Sequence, residues 1–391
     1  MGKPIALLVG GWAFLWAALA TYFTLRQIYN LARAPRLDRE DSFPLPDPPP
    51  LVSVIIPARN EEERIARAVR SVLKQDYPRL ELVVIDDAST DRTTEVALTA
   101  MEGDERARLV RLREEERNPG VAGKAFALAR GEAEARGELL LLMDADVELD
   151  PSAVGVAVGY LNRLTKERPE TALLSLAPRQ ICRSLTVELV QVGVYQLLDG
   201  LMDYRMNNSP RAREPVVSGA FLLVRREALS RVGGHLALKV PVLIDTELAR
   251  QLRRRGFLIH FARGEELVGV EMYPTLTQAL AGWRKNLWAC LGWKTGRVLV
   301  RSGVVAFLWL SPLLLALLSI AEGGKGTLAY LGLLGWQVAL DVALRLYRGH
   351  SPAPALLSPL GGALLVYLAL AGLADHLLGR GSQWKGRRVG G

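Results

Sequence analysis

The sequence predicts an α/β fold: a parallel sheet covered by helices on both faces, with apolar segments of membrane length at either end of the chain. Three observations predict it. Four strand-like, largely apolar runs, "LVSVIIP", "LELVVIDD" up to its acids, "ARLVRL" and "ELLLLM", alternate with stretches of helical periodicity, and the strands of a sheet covered on both faces read in this way. Three runs lead into polar clusters, "PARNE", "DDASTD" and "DAD", and in open α/β sheets ligands gather at the carboxyl ends of the strands. Half of the 391 residues are hydrophobic and the mean hydropathy is +0.15, with the excess concentrated at the two ends.

Residues 1–30 read as an N-terminal transmembrane anchor. Ile5–Tyr22 is uncharged and apolar, and with its flanks it reaches the ~20 residues a helix needs to span a bilayer. Arg26, Arg33, Arg36 and Arg39 follow it in place of a small-residue cleavage pattern, which favours a retained anchor over a signal peptide. Residues 31–50 form a linker ending in the stiff "FPLPDPPP". Residues 51–274 are the soluble domain. Its first strand, Leu51–Pro57, precedes "EEERIARAVRSVLKQ", where Ile65, Val69 and Val72 keep helical spacing. The second strand ends at Asp86 and Asp87, and "TDRTTEVALTAM" is a helix entered near Thr90 or Asp91. After the third strand, "GKAFALARGEAEA" is a helix, and the fourth strand runs out at Asp144 and Asp146.

Residues 275–302 are amphipathic. Leu276, Leu280, Trp283, Leu287 and Leu291 share one helical face, with Trp288, Trp293, Arg284, Lys285 and Lys294 around it. This composition suits a helix lying in the membrane interface; a core helix is the alternative. Residues 303–380 hold three further membrane segments, Val304–Ala321, Thr327–Leu344 and Ala355–Leu378, the last two interrupted by Asp341 and Asp375. Acids at such depth are expected to face protein or water. Residues 381–391 are a basic tail. The positive-inside bias puts residue 26 to about 300 in the cytoplasm, giving a multi-pass protein of the cytoplasmic membrane. Three C-terminal crossings would then leave the basic tail outside, so one segment is expected to be re-entrant, and "PAPALLSPLGG" is the favoured one.

The net charge of +8 does not imply nucleic acid, because no reader motif or stacking platform accompanies it. The positive residues crowd beside the membrane segments, where anionic headgroups account for them. Cys182 and Cys290 fit a reducing compartment and give neither a disulfide framework nor a metal spacing. No G-x-G-x-x-G or P-loop follows a strand, which leaves a metal to neutralise a diphosphate. Asp144 and Asp146 fit that task. Two carboxylates about 4 Å apart repel by about 1 kcal/mol in water and about 4 kcal/mol at an effective dielectric of 20, and a divalent cation is the commonest group that offsets this. The alternative is a solvated strand end before Pro151.

Together, "VSVIIPARNEE", "VVIDDASTD", "GKAFALARG", "LLMDADVELDP", "SGAFLLVRREAL", "GGH" and "DTELARQLRRRG" resemble the family 2 glycosyltransferases, with their Rossmann-like, nucleotide-sugar-binding GT-A fold. The run to "EMYPTLTQALAGWRKN" and the tail "WKGR" are similar to membrane enzymes that glycosylate carotenoids and other isoprenoid lipids, and to their hopanoid- and ceramide-associated relatives. The resemblance implies that Pro57, Arg59 and Glu61 line the nucleoside pocket and that Asp87 binds the uracil or ribose side. It places Gly123 and Lys124 by the nucleotide-sugar, and Gly219 beside the sugar. Asp144 and Asp146 become a D-x-D that holds Mg²⁺ or Mn²⁺ on the diphosphate of a UDP-sugar. Asp245 becomes the general base of an inverting transfer, although by its position alone an N-cap is the favoured account. His235 is expected to touch sugar or phosphates, or to be a turn histidine. Trp283, Arg284, Lys285, Trp384 and Arg387 are expected at a mouth where a lipid acceptor enters from the membrane. Arg225 and Arg226 are candidate phosphate partners, and Arg253 to Arg255 read as a solvated helix face.

Two departures bear on function. Ile244 stands where relatives carry an acid before the base, and Gln278 is followed by "ALAGWRKN" instead of the Q-x-x-R-W of processive synthases. Transfer of a single hexose to a lipid therefore ranks above transfer to polyprenyl phosphate or polysaccharide synthesis, and both rank above a catalytically silent membrane scaffold.

Overall fold

The computed structural model describes residues 3–116, 121–212, 215–238, 243–292, 294–323, 326–380, 382–384 and 387–389, the two ends by backbone alone. The elements in chain order are α1 (Lys3–Arg33), β1 (Val52–Ala58), α2 (Ile65–Leu73), β2 (Leu80–Asp86), α3 (Thr93–Met101), β3 (Ala107–Arg111), α4 (Gly123–Glu134), β4 (Leu139–Leu142), β5 (Val147–Leu149), α5 (Ala153–Glu167), β6 (Thr171–Ala177), β7 (Arg179–Gln180) and α6 (Leu185–Leu201). There follow α7 (Tyr204–Asn207), β8 (Leu222–Arg225), α8 (Arg226–Arg231), α9 (Ile244–Arg254), β9 (Leu258–Arg263), β10 (Val268–Val270), α10 (Leu276–Cys290), α11 (Thr295–Ala321), α12 (Thr327–Tyr347), α13 (Ser358–Leu377) and the small hairpin β11 (Ser382–Trp384) and β12 (Arg387–Val389).

Seven strands form the main sheet in the order β3-β2-β1-β4-β8-β6-β9. The four predicted strands pair in parallel, as the strand–helix alternation implies; β3, which carries Arg108 and Arg111, is the part-buried edge strand. The wholly parallel expectation does not survive beyond them. β8 is antiparallel to both β4 and β6, so the sheet is mixed. The reversal has a consequence for function: it brings the start of β8, with Gly219 just before it, to the edge where β4 ends. It also carries the end of β8 away from that edge. Arg225 pairs in register with Leu139 at the start of β4, and Arg226 donates to the Gly137 carbonyl. Both arginines therefore lie at the opposite edge from Asp144, which corrects their assignment as phosphate partners.

Alternate strand residues feed two cores. Val54, Ile56, Leu82 and Leu141 face α2, α3 and α5, while Ile55, Val83, Ile85 and Leu140 face α4, α8 and α9. Full burial of each such side chain contributes roughly 1.5–3 kcal/mol. Gly131 fixes how closely α4 lies on the sheet, since a Cβ there would come within 2.3 Å of the Ile55 Cγ2. That close approach sets where the N-terminus of α4 emerges.

The remaining helices pack beside the domain. Among the described residues three helical segments are long and apolar enough to cross a membrane, Thr295–Ala321, Thr327–Tyr347 and Ala353–Leu377. Leu314, Leu317, Leu318, Ile320 and Leu328 on the first two are exposed, an apolar surface of the kind that lipid covers. The Pro- and Gly-interrupted start of the third is a 3₁₀ turn, Ala353–Leu357, that leads directly into α13. α1 packs on this group through Trp16, which is fully buried and donates to the Phe307 carbonyl at 3.2 Å. The interrupting acids meet protein, as expected. Asp375 receives two hydrogen bonds from Arg284, at 2.7 and 2.9 Å, and Asp341 receives one from Gln196 at 2.8 Å and two from Arg345 at 3.2 Å.

α10 differs from the interfacial expectation. Trp283, Leu287 and Leu291 are buried in a cluster shared with α6 and α13, and Leu276 and Leu280 pack against it. The apolar face therefore meets protein instead of lipid, and the core alternative describes it. Spacing alone could not tell the two apart, because both bury the same stripe.

Candidate active site

The polar edge of the sheet is built from four loops. After β1, the Arg59 guanidinium donates to the carbonyls of Asp87, at 2.6 Å, and Ala88, at 3.1 Å. It thereby ties the first loop to the second. The Glu61 backbone N–H donates to the Thr93 hydroxyl, and its carboxylate pairs with Arg64 at 2.7 Å. Asp87 is buried, with its N–H bonded to the Ala58 carbonyl, and Pro57 is part-buried at the end of β1. Asn60, Ala88 and Leu243 adopt left-handed backbone angles (φ 51°, 51° and 55°). Non-glycine residues hold such angles only where surrounding structure enforces them, commonly at functional sites.

β4 ends at Leu142. Met143 and Ala145 are buried in the core, which leaves Asp144 and Asp146 half-buried in the turn between β4 and β5. They face different neighbours. Asp146 lines a small cavity with Arg64, Arg67, Glu148, Ile181 and Glu271, and its carbonyl accepts from the Glu271 N–H. Glu271 is buried and receives Arg67 and Arg183, the latter at 2.9 Å. Burial works against its charge, but the two guanidiniums outweigh it and hold the carboxyl below its ordinary range. Sequence reading missed Arg67, Arg183 and Glu271, which lie far apart in the chain. Of the three, only Glu271 stands in a motif of the resemblance, "EMYP".

Asp144 turns the other way. The Lys124 ammonium, on the second residue of α4, lies 2.8 Å from the Asp144 Oδ1 and 3.2 Å from the Asp245 Oδ2. Burial opposes the lysine charge, yet the Asp144 and Asp245 carboxylates raise its pKa above the usual lysine range. Burial and the nearby Asp245 raise the Asp144 pKa, against the pull of Lys124. Asp245 is the second residue of α9, whose cap is Leu243 with no side-chain cap bond. It is therefore not an N-cap, and its side chain is committed to Lys124. Gly219 makes the arrangement possible, because a Cβ there would come within 2.2 Å of the Asp245 Oδ2. Gly123, first residue of α4, stands beside Lys124.

The structure thus brings Lys124, Asp144, Gly219 and Asp245 into direct contact and sets Asp146 two residues away. It does not bring His235 to them. That residue is fully buried, and its Nδ1 is bonded to Glu132 near the far end of α4, so the turn-histidine alternative describes it. Trp283 is buried and donates to Gln191 at 2.7 Å. Arg284 pairs with Asp375 and keeps a partly exposed side chain. Lys285 is part-buried on α10. The side chains of Trp384 and Arg387 lie outside the described residues. Arg254 and Arg255 are exposed, as expected of a solvated face, whereas Arg253 is part-buried and donates to the Asn207 carbonyl.

The donor set also bears on metal. Among the described residues no group of three His, Cys, Asp or Glu side chains could hold an ion. Two oxygen-donor carboxylates suit Mg²⁺ or Mn²⁺, which are commonly held by one or two carboxylates together with substrate phosphates and water. Asp144 and Asp146 supply that kind of donor, although here Asp144 is paired with Lys124 and Asp146 faces the cavity beside Glu271.

Residues 53–233 match the family model described as Glycosyl transferase family 2. This region is a family 2 glycosyltransferase domain. The chain is 24% identical over 237 residues to a 4,4'-diaponeurosporenoate glycosyltransferase of Staphylococcus haemolyticus, and 27% identical over 244 residues to the protein of that name from Staphylococcus aureus (strain USA300). Each match covers 60% of this chain and 60% of the relative. A mannosyltransferase from Pyrobaculum calidifontis, solved in complex with GDP-Man and Mn²⁺, superposes over 93% of this chain and 99% of its own with a TM-score of 0.53 at 20% identity. That likeness gives the GT-A fold. The carboxylates described above stand at the carboxyl edge of this domain.

Proposed function

We propose that the protein transfers one hexose from a UDP-sugar to a lipid acceptor, with inversion, at the cytoplasmic face of a membrane. The acceptor class we infer is a carotenoid or related isoprenoid, in keeping with the names of the curated relatives. The observation that carries the reading is the meeting of Asp144, Lys124 and Asp245 at the carboxyl edge of a domain packed against membrane-length helices.

In this reading the loops after β1 and β2, with Pro57, Arg59, Glu61 and Asp87, hold the nucleoside. Asp144 and Asp146 hold Mg²⁺ or Mn²⁺, which when bound supplies Lewis-acid stabilisation of the departing diphosphate. Lys124 and the amino end of α4 attract the phosphates by charge and by the helix dipole. Gly219 lets the Asp245 carboxylate lie against the backbone at this edge, where the sugar would meet it. Asp245 takes the proton from an acceptor hydroxyl as the oxygen bonds to the anomeric carbon and the C–O bond to the diphosphate breaks. A carboxylate acceptor arrives without that proton and needs only orientation. α1 and the three C-terminal segments hold the domain at lipid level.

The test uses purified full-length protein with Mn²⁺, a panel of UDP-sugars and a lipid extract. UDP release together with radiolabel in a chromatographed lipid of low mass supports the reading; label in a high-mass product overturns it in favour of polymer synthesis. Asp245→Asn is expected to bind UDP normally and to lose at least 100-fold in transfer to a hydroxyl acceptor. Normal transfer by that variant removes Asp245 as the base.

A further inference from the structure

We propose that Lys124 is a built-in cation that holds Asp144 and Asp245 together and makes divalent-metal binding conditional on the nucleotide diphosphate. The inference rests on the reading that Asp144 and Asp146 take a metal, and adds to it an order of events.

The geometry begins with where α4 emerges. Gly131 seats the helix flush on β1, and Lys124 is the second residue of that helix. Its ammonium touches one oxygen of each carboxylate, the Asp144 Oδ1 at 2.8 Å and the Asp245 Oδ2 at 3.2 Å. One side chain thus grips a candidate metal ligand and the candidate base at once. A divalent ion held by Asp144 would share that carboxylate with the ammonium, and like charges repel strongly in a half-buried setting. The two cations compete for the same carboxylate.

A diphosphate changes the balance. It brings several negative charges to the amino end of α4, a natural place for anions, and Lys124 has a flexible four-carbon stem with three rotatable donors. Moving the ammonium from carboxylate to phosphate frees Asp144 for the metal and Asp245 for the acceptor in one motion. The base is thereby uncovered only when a donor is present. Lys124 acts here as a positioning residue, through the two aspartates.

The test is a titration of the full-length protein with Mn²⁺, reading free Mn²⁺ by electron paramagnetic resonance, with and without UDP. The wild type is expected to bind Mn²⁺ weakly alone and at least 10-fold more tightly with UDP. Lys124→Met and Lys124→Gln, both neutral, are expected to tighten nucleotide-free Mn²⁺ binding about 10-fold and to reduce the gain from UDP. Lys124→Arg, which keeps the charge, is expected to stay within threefold of the wild type. Nucleotide-free affinity that is unchanged or weaker in both neutral variants overturns the proposal while leaving the metal site standing. If the wild type binds no Mn²⁺ even with saturating UDP, the metal reading itself fails and the proposal falls with it.

Discussion

Gly219→Ala isolates the placement of Asp245 from its charge. A Cβ at position 219 would lie 2.2 Å from the Asp245 Oδ2 and 2.8 Å from its Cγ. To regain ordinary van der Waals contact the carboxylate must retreat by about 1 Å. The retreat also stretches the contact to Lys124, now 3.2 Å. A misplacement of about 1 Å costs on the order of 100-fold in rate, or roughly 3 kcal/mol of barrier. Overpacking costs about 1–3 kcal/mol of stability when nothing yields, and less here because a half-buried carboxylate can turn away. The expected result is transfer reduced about 100-fold, with UDP affinity by calorimetry within threefold of the wild type and a nearly unchanged melting temperature. Transfer within threefold of the wild type would show that Asp245 need not stand against Gly219, and the reasoning from close approach would fail.

Two further outcomes follow from packing and charge. Gly282→Ala would gain about 1 kcal/mol of helix propensity, but its Cβ would fall 2.2 Å from the Tyr273 hydroxyl, so a lower melting temperature in detergent is expected; a higher one would mean that α10 does not press on Tyr273. Glu81 is buried and receives Ser53, Arg108 and two donors of Arg136; burial would raise its pKa, but these bonds lower it to about 2. A depressed carboxyl stabilises the fold fully above its ordinary pKa and loses that contribution as pH falls towards about 2. At 1.36 kcal/mol per pH unit this is on the order of 3 kcal/mol, so Glu81→Gln should lower the melting temperature near pH 7 and flatten its fall in acid. An unchanged acid limb would refute that assignment.

Much of the domain was legible because hydrophobic periodicity reports burial directly. The four apolar runs became β1 to β4, and the acids that closed them came together at one edge. Direction was not legible. "FLLVR" carries the same apolar signature whichever way it runs, so the reversal of β8, which sends Arg225 and Arg226 to the far edge and Gly219 to the site, needed the structure. The α10 stripe was visible, but its partner was not, since protein and lipid reward the same spacing. Asp144, Asp146, Asp245 and Lys124 stood out through their motifs, whereas the ammonium shared between two carboxylates is a contact across 121 positions of chain that local pattern does not encode. The same holds for Arg67, Arg183 and Glu271. His235 looked like a site residue because "GGH" marks a tight turn; the turn is real, and Glu132 fills it.

The central claim is that paired aspartates at the end of β4 serve sugar transfer to a membrane lipid. It is tested most directly by mass spectrometry of lipids from a host lacking such glycolipids but supplied with a carotenoid acceptor, expressing either the wild type or Asp146→Ala at equal level. A lipid heavier by one hexose in the wild type and absent with the variant is the predicted result. The same hexosylated lipid at full abundance in both, or in neither, would contradict the account.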